Sequence, residues 1–174
     1  MLKNIGLCLL LLVLLNVAYS QPSETVPMYR YSNGGVHLYT TNAGEIGTNV
    51  PGLTGNAGYK CEGVAGFVYP SAQDGTVPLY RYFNGRNYLY TISPEEIGTN
   101  VTGLMGKHGY KCEGVAGYVY PGAQDGTVPL YRYSNGKDFL YTANPQEIGT
   151  NVIGIVGNAG YKCEGVACHL FPAQ

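Results

Sequence analysis

Tryptophan is absent from these 174 residues, and charged side chains account for only 12% of them. The ten basic residues never gather into a run, so nothing could track a phosphate backbone, and nucleic acid is not an expected partner. No Gly-x-Ser-x-Gly, His-Glu-x-x-His or phosphate-loop pattern occurs. The chain is therefore not read as an enzyme, and no cofactor is implied. The cysteines never form a Cys-x-x-Cys pair, which argues against zinc or another bound metal. The pairs Asp74-Gly75 and Asp125-Gly126 read as turns, not as calcium loops.

Long apolar runs are missing too, with one exception at the N-terminus. Ile5 to Leu15 is largely apolar but short for a membrane span, and it lies between Lys3 and the small residues around Ala18-Tyr19-Ser20. Residues 1–20 are expected to be a signal peptide cleaved before Gln21, making residues 21–174 a secreted, extracellular domain without a membrane span. Cleavage would remove Cys8 and leave Cys61, Cys112, Cys163 and Cys168. Four cysteines in an oxidising compartment predict a disulfide, read here as one bridge between repeats, with three pairings open. An extended 161–168 segment would point Cys163 and Cys168 to opposite faces, which disfavours a local bridge.

What the chain has instead is repetition. Val26-Pro27-Met28-Tyr29-Arg30-Tyr31 returns 51 residues later as Val77-Pro78-Leu79-Tyr80-Arg81-Tyr82, and again as Val128-Pro129-Leu130-Tyr131-Arg132-Tyr133. Glu45-Ile46-Gly47-Thr48-Asn49 and Gly58-Tyr59-Lys60-Cys61-Glu62-Gly63-Val64-Ala65 recur in the same register. The three copies run over 26–76, 77–127 and 128–174. A fixed period of this kind means one supersecondary unit that buries its apolar face against its copies.

Within a copy, Val77 to Tyr82 and Tyr88 to Ile92 are β-branched and aromatic, and Asn84-Gly85 lies between them. That dipeptide predicts a two-residue hairpin turn with Arg81 opposite Tyr88 and Tyr80 opposite Leu89. Ser93-Pro94-Glu95-Glu96 predicts one short helical turn, with the glutamate back-bonding to the cap and Gly98 ending it. A longer third strand follows over 109–121, with Gly66 and Gly117 as candidate bulges. The fold class is thus all-β with one short helical turn per repeat. Three such units most simply close with pseudo-threefold symmetry, β-trefoil-like or short propeller-like, because closure removes exposed edges; a linear array stays open as the alternative.

These motifs resemble a widespread, functionally uncharacterised family of extracellular tandem repeats. Its pattern runs Pro-Leu-Tyr-Arg-Tyr, Asn-Gly, aromatic-Tyr-Thr, then Gly-Tyr-x-x-Glu-Gly-Val-Ala-Gly-Tyr-Val, and the likeness covers nearly all of 26–171. Similar repeats are often appended to secreted microbial hydrolases. The resemblance implies secretion, a repeat fold and the behaviour of an accessory binding module, and it implies no activity.

The residues that recur in all copies are the candidate sites. Arg30, Arg81 and Arg132 lie mid-strand among tyrosines, and Glu62, Glu113 and Glu164 lie mid-strand in the third element. They are read either as a partly buried ion pair or as a ligand cradle, in which Tyr39, Tyr90 and Tyr141 offer a flat face. His37, His108 and His169 do not recur and are assigned surface or packing roles. Asn100-Val101-Thr102 is an N-glycosylation sequon without a counterpart in the sister copies. Three equivalent, tyrosine-rich, weakly charged faces favour a secreted, non-enzymatic, lectin-like protein. It would bind glycans or other polar surface ligands multivalently, in a setting such as innate defence. A structural or matrix protein is the alternative, and a protein-binding inhibitor a third. The secreted protein should begin at Gln21, and intact mass spectrometry of material exported from cells checks this directly.

Overall fold

The computed structural model describes Pro22 and residues 24–173; the expected signal peptide and its cleavage point lie outside the described residues. The chain is all-β. Each copy forms one three-stranded antiparallel sheet. The first holds β1 (Val26–Ser32), β2 (His37–Thr40) and β3 (Lys60–Val68). The second holds β4 (Val77–Phe83), β5 (Tyr88–Thr91) and β6 (Lys111–Val119). The third holds β7 (Val128–Ser134), β8 (Phe139–Thr142) and β9 (Lys162–Leu170). Strand order is β2-β1-β3 in the first and the same in the others, and the three sheets do not merge into a closed barrel.

The hairpins differ from the two-residue expectation. Arg81 pairs with Tyr90 and Phe83 with Tyr88, so the loop spans four residues, 84–87. The Asn84 side chain is the reason. Its Oδ1 accepts from the N–H groups of both Arg86 and Asn87, at 2.9 Å each, replacing the backbone turn bond by a side-chain one. Asn33 and Asn135 do the same in the other copies. A shift of two leaves every side chain on its expected face. Both faces prove to be core. Tyr82 and Leu89 pack into a local cluster, while Leu79 and Tyr90 enter a central one built from all three copies.

Two register breaks in each long pairing, between Leu79 and Tyr80 and between Arg81 and Tyr82 in the second copy, leave Ala116 and Glu113 unpaired. The candidate bulge glycine Gly117 stands beside one of them, and its own requirement is space: a Cβ there would lie 2.6 Å from Val68 Cγ2. The third copy carries Cys168 at this position, buried in the central cluster. Two short helical turns form per copy, not one; the second, as in Asn56–Gly58, holds Ala57 at positive φ.

The expected disulfide is not formed. Cys61, Cys112, Cys163 and Cys168 are buried free thiols, each in a different apolar cluster, so no two share a site. Every repeated cysteine faces the core tyrosine of its own sheet, as Cys61 faces Tyr31. Burial pushes the Cys168 thiol up to about 12.

The central cluster is organised by Tyr39, Tyr90 and Tyr141. The Tyr90 hydroxyl accepts from the Tyr39 N–H at 2.8 Å and donates to the Tyr39 carbonyl at 2.6 Å. Tyr141 does the same to the Tyr90 backbone, and Tyr39 to that of Tyr141. Six bonds thus close a cycle through the three copies, and the rings meet edge-to-face at 5.4–5.5 Å. A second cycle lies at the ends of the long strands, where Tyr69 pairs with Tyr118, Tyr120 with His169 and Phe171 with Phe67.

Two outcomes follow. Tyr90→Phe strands a buried N–H and a buried carbonyl together, so chemical denaturation should show a loss of about 2–5 kcal/mol, whereas Tyr80→Phe, on an exposed contact to Asn100, should be near neutral. Thiol titration of the unreduced, denatured protein should find four free thiols in residues 21–174, and the native protein should react slowly.

Candidate functional site

The recurring arginines and glutamates meet at the junctions between copies. Arg30 Nε lies 2.7 Å from Glu62 of its own sheet, and its terminal nitrogens bond both oxygens of Glu147 from the third copy, at 2.9 and 3.0 Å. Arg81 repeats this with Glu113 at 2.8 Å and Glu45 of the first copy at 3.0 Å. Arg132 does so with Glu164 at 2.7 Å and Glu96 of the second copy at 3.0 Å. The bulge at Glu62, Glu113 or Glu164 turns the carboxylate toward the arginine on the adjacent strand.

Glu45, Glu96 and Glu147 were expected as helix caps. They sit in the short turns, but their carboxylates span to the next copy instead. Asn42 and Asn144 supply the caps, accepting from Gly44 and Gln146. A three-residue 3-10 turn leaves its last side chain pointing outward, free to reach a neighbour.

Each junction carries a cleft. One, of about 340 Å³, is lined by Arg30, Glu62, Val64, Asn144 and Glu147. Its counterparts, of about 240 and 220 Å³, are lined by Arg81, Glu45, Glu113 and Val115, and by Arg132, Glu96, Glu164 and Val166. One guanidinium between two carboxylates leaves each cleft with a formal charge of minus one. The arginine side chains are 20–21% exposed and the carboxylates 27–35%, so both remain in reach of solvent.

The structure brings the three arginines to these clefts; Tyr141 and Tyr39 border two of them, but all three tyrosines are buried. Tyr39, Tyr90 and Tyr141 are 1% exposed with their hydroxyls engaged, so they cannot offer a ligand a flat face. The arginine does lie over the ring expected opposite it, although the hairpin register has shifted: Arg81 is 5.8 Å from the Tyr88 centroid and Arg132 5.7 Å from that of Phe139. Asn100 and Thr102 of the sequon are exposed. Among the described residues no group of three His, Cys, Asp or Glu side chains forms a metal site.

His37 replaces the aromatic ring in the first copy and has a larger role than the surface or packing one assigned to it. Its Nδ1 lies 2.5 Å from Asp138 Oδ2, and its Nε2 lies 3.6 Å from Glu62. Asp138, 1% exposed, also accepts from the His37 N–H and the Tyr161 hydroxyl. The same position in the second copy holds Asn87, which donates to the Lys137 carbonyl and accepts from Tyr110. These junction residues differ between copies, as Val36, Asn87 and Asp138 do, so recurrence in the sequence does not mark them.

A family model described as a domain of unknown function, DUF5648, matches residues 15–103 and again 56–171. The chain belongs to that family. The overlap of the two matched stretches is what a repeated unit produces. Comparison with curated proteins and with solved structures gives no match.

Partial burial raises the Glu147 carboxyl, but the hydrogen bond and charge of Arg30, helped by Thr142 and His37, more than offset this and hold it below the usual range. A carboxyl depressed in the folded state stabilises the fold above its unfolded value, and that contribution is lost as acid protonates it. Glu147→Gln should therefore lower the melting temperature at neutral pH. The gap to the wild type should close as the pH falls below the carboxylate range, which a pH series of thermal melts reads directly.

Proposed function

We propose that the chain is a secreted, non-enzymatic recognition protein that binds glycans through three equivalent clefts on one rigid body. We further propose that its three sheets close into a ring with pseudo-threefold symmetry, β-trefoil-like or short propeller-like, a reading supported by the tyrosine cycle that joins all three copies. The observation that carries the functional reading is the cleft itself: the same Arg-Glu-Glu set, at the same distances, beside the same valine and alanine, at all three junctions.

The chemistry selects for hydroxyls. Each carboxylate has about four acceptor positions, and the arginine occupies only some of them. The remaining acceptors suit neutral polyols, while the excess negative charge disfavours anionic ligands. Val115 and its equivalents supply a small apolar wall for the C–H face of a sugar ring. A small, open cleft gives weak single-site binding, on the order of millimolar, and three together gain roughly 10² or more in avidity on a repetitive surface.

The matrix-protein reading has support of its own, because arginines clamped by two carboxylates also serve as plain staples between copies. Plugging the clefts without touching the staples separates the two. Val64→Trp, Val115→Trp and Val166→Trp should each reduce retention on a glycan-dense surface, and the triple variant should abolish it with little change in melting temperature. A glycan array of the wild-type protein without sugar-type selectivity would favour the matrix reading instead.

A further inference from the structure

Between the first helical turn and the third strand, each copy exposes large aliphatic side chains. Val50 and Leu53 are 50% and 54% exposed; Val101, Leu104 and Met105 are 54–64% exposed. In the third copy Val152, Ile153, Ile155 and Val156 are 51–72% exposed, four branched side chains within five residues. Isolated exposed aliphatics are ordinary, but a cluster recurring at the same place in three copies is not.

The loop is also held rigid. The Gly154 N–H donates to the Cys163 carbonyl at 2.8 Å and the Cys163 N–H to the Ile155 carbonyl at 2.9 Å, and the other copies repeat both bonds. Ile153 packs over Gly165, where an added Cβ would lie 3.2 Å from its Cδ1. An apolar tip fixed in this way loses little conformational freedom when it is covered.

Charge indicates what covers it. The stretches 47–61, 98–112 and 149–163 contain no acidic residue, although the chain has eleven. They contain Lys60, Lys107, His108, Lys111 and Lys162, and one of these lysines bridges each loop at Thr54, Met105 or Val156. We propose that these loops, with the Val152–Val156 tip foremost, dock on a bilayer that carries anionic lipid. The aliphatic side chains enter the interfacial zone, and the lysines bind headgroup phosphates or carboxylates. The loops contribute no residue to the lining of the clefts, whose formal charge is negative, although Ile153 borders one of them at Gly165. A second copy of the chain fits less well, because equivalent tips would bring lysine against lysine.

The test is co-sedimentation of the secreted protein with vesicles of phosphatidylcholine alone or mixed with phosphatidylserine. Binding to the mixed vesicles, weakened by added salt, is expected. Ile153→Thr with Val156→Thr places at these sites the residues that the sister copies carry as Thr102 and Thr54, so the fold should be kept. This variant should lose at least about tenfold in vesicle affinity. Lys162→Glu should lower binding to the mixed vesicles alone, and the Val115→Trp cleft variant should leave it unchanged. Equal binding to both vesicle types, no binding to either, or an unaffected double variant would overturn the proposal. So would concentration-dependent self-association in analytical ultracentrifugation that the double variant abolishes, which would assign the tip to a second copy.

Discussion

Six hydrogen bonds among three tyrosines join the copies at the centre of the molecule. The problem they solve belongs to sheets in general. A short edge strand such as β2, β5 or β8 presents unpaired N–H and carbonyl groups, and three such edges converge on a space too narrow for another strand or for bulk water. A tyrosine hydroxyl both donates and accepts, so one side chain can satisfy both groups of one neighbouring residue. Phenylalanine would fill the same volume and leave two buried polar groups unpaired, and the ring packing that comes with tyrosine adds edge-to-face contact.

The junctions outside that centre inherit their geometry from it. Once each β2-type strand is tied to the next, the arginine on the adjacent strand meets the short helical turn of the preceding copy, and the arginine–glutamate clamp forms at a defined distance. The clamp is partly exposed, so as a staple it is worth little per pair. It also places the same charges at the mouth of each cleft. The sign of that charge sets the clefts apart from the apolar loops with their lysines.

Strict repetition also shows where it is relaxed. Val36, Asn87 and Asp138 occupy one position in the three copies, and only the last is charged; it faces His37, the one copy in which the ring beside the arginine is an imidazole. The change of ring and the change of carboxylate are complementary across a single junction. Position 168 departs from the repeat as well. Glycines at 66 and 117 are forced by contacts with Leu170 and Val68, and the equivalent site holds Cys168 in the apolar centre.

Much of the architecture was legible in the chain alone. Recurrence every 51 residues determined the number of units, β-branched and aromatic runs determined their strands, and matched arginine and glutamate positions determined that an ion pair or cradle would appear three times. Face assignment survived even where register did not, because the asparagine side-chain bonds lengthened the hairpin loop by two residues and alternation has a period of two. What only the tertiary structure decided is which copy each side chain serves. Glu45 lies beside its own cap in sequence and beside Arg81 in space, Tyr39 is a possible ligand platform in sequence and a buried link in space, and the cysteines that looked like bridge candidates are dispersed among four clusters. Local pattern specifies the strand a residue occupies and the face it takes. Its partner across a junction depends on how whole units pack, and no local spacing carries that information.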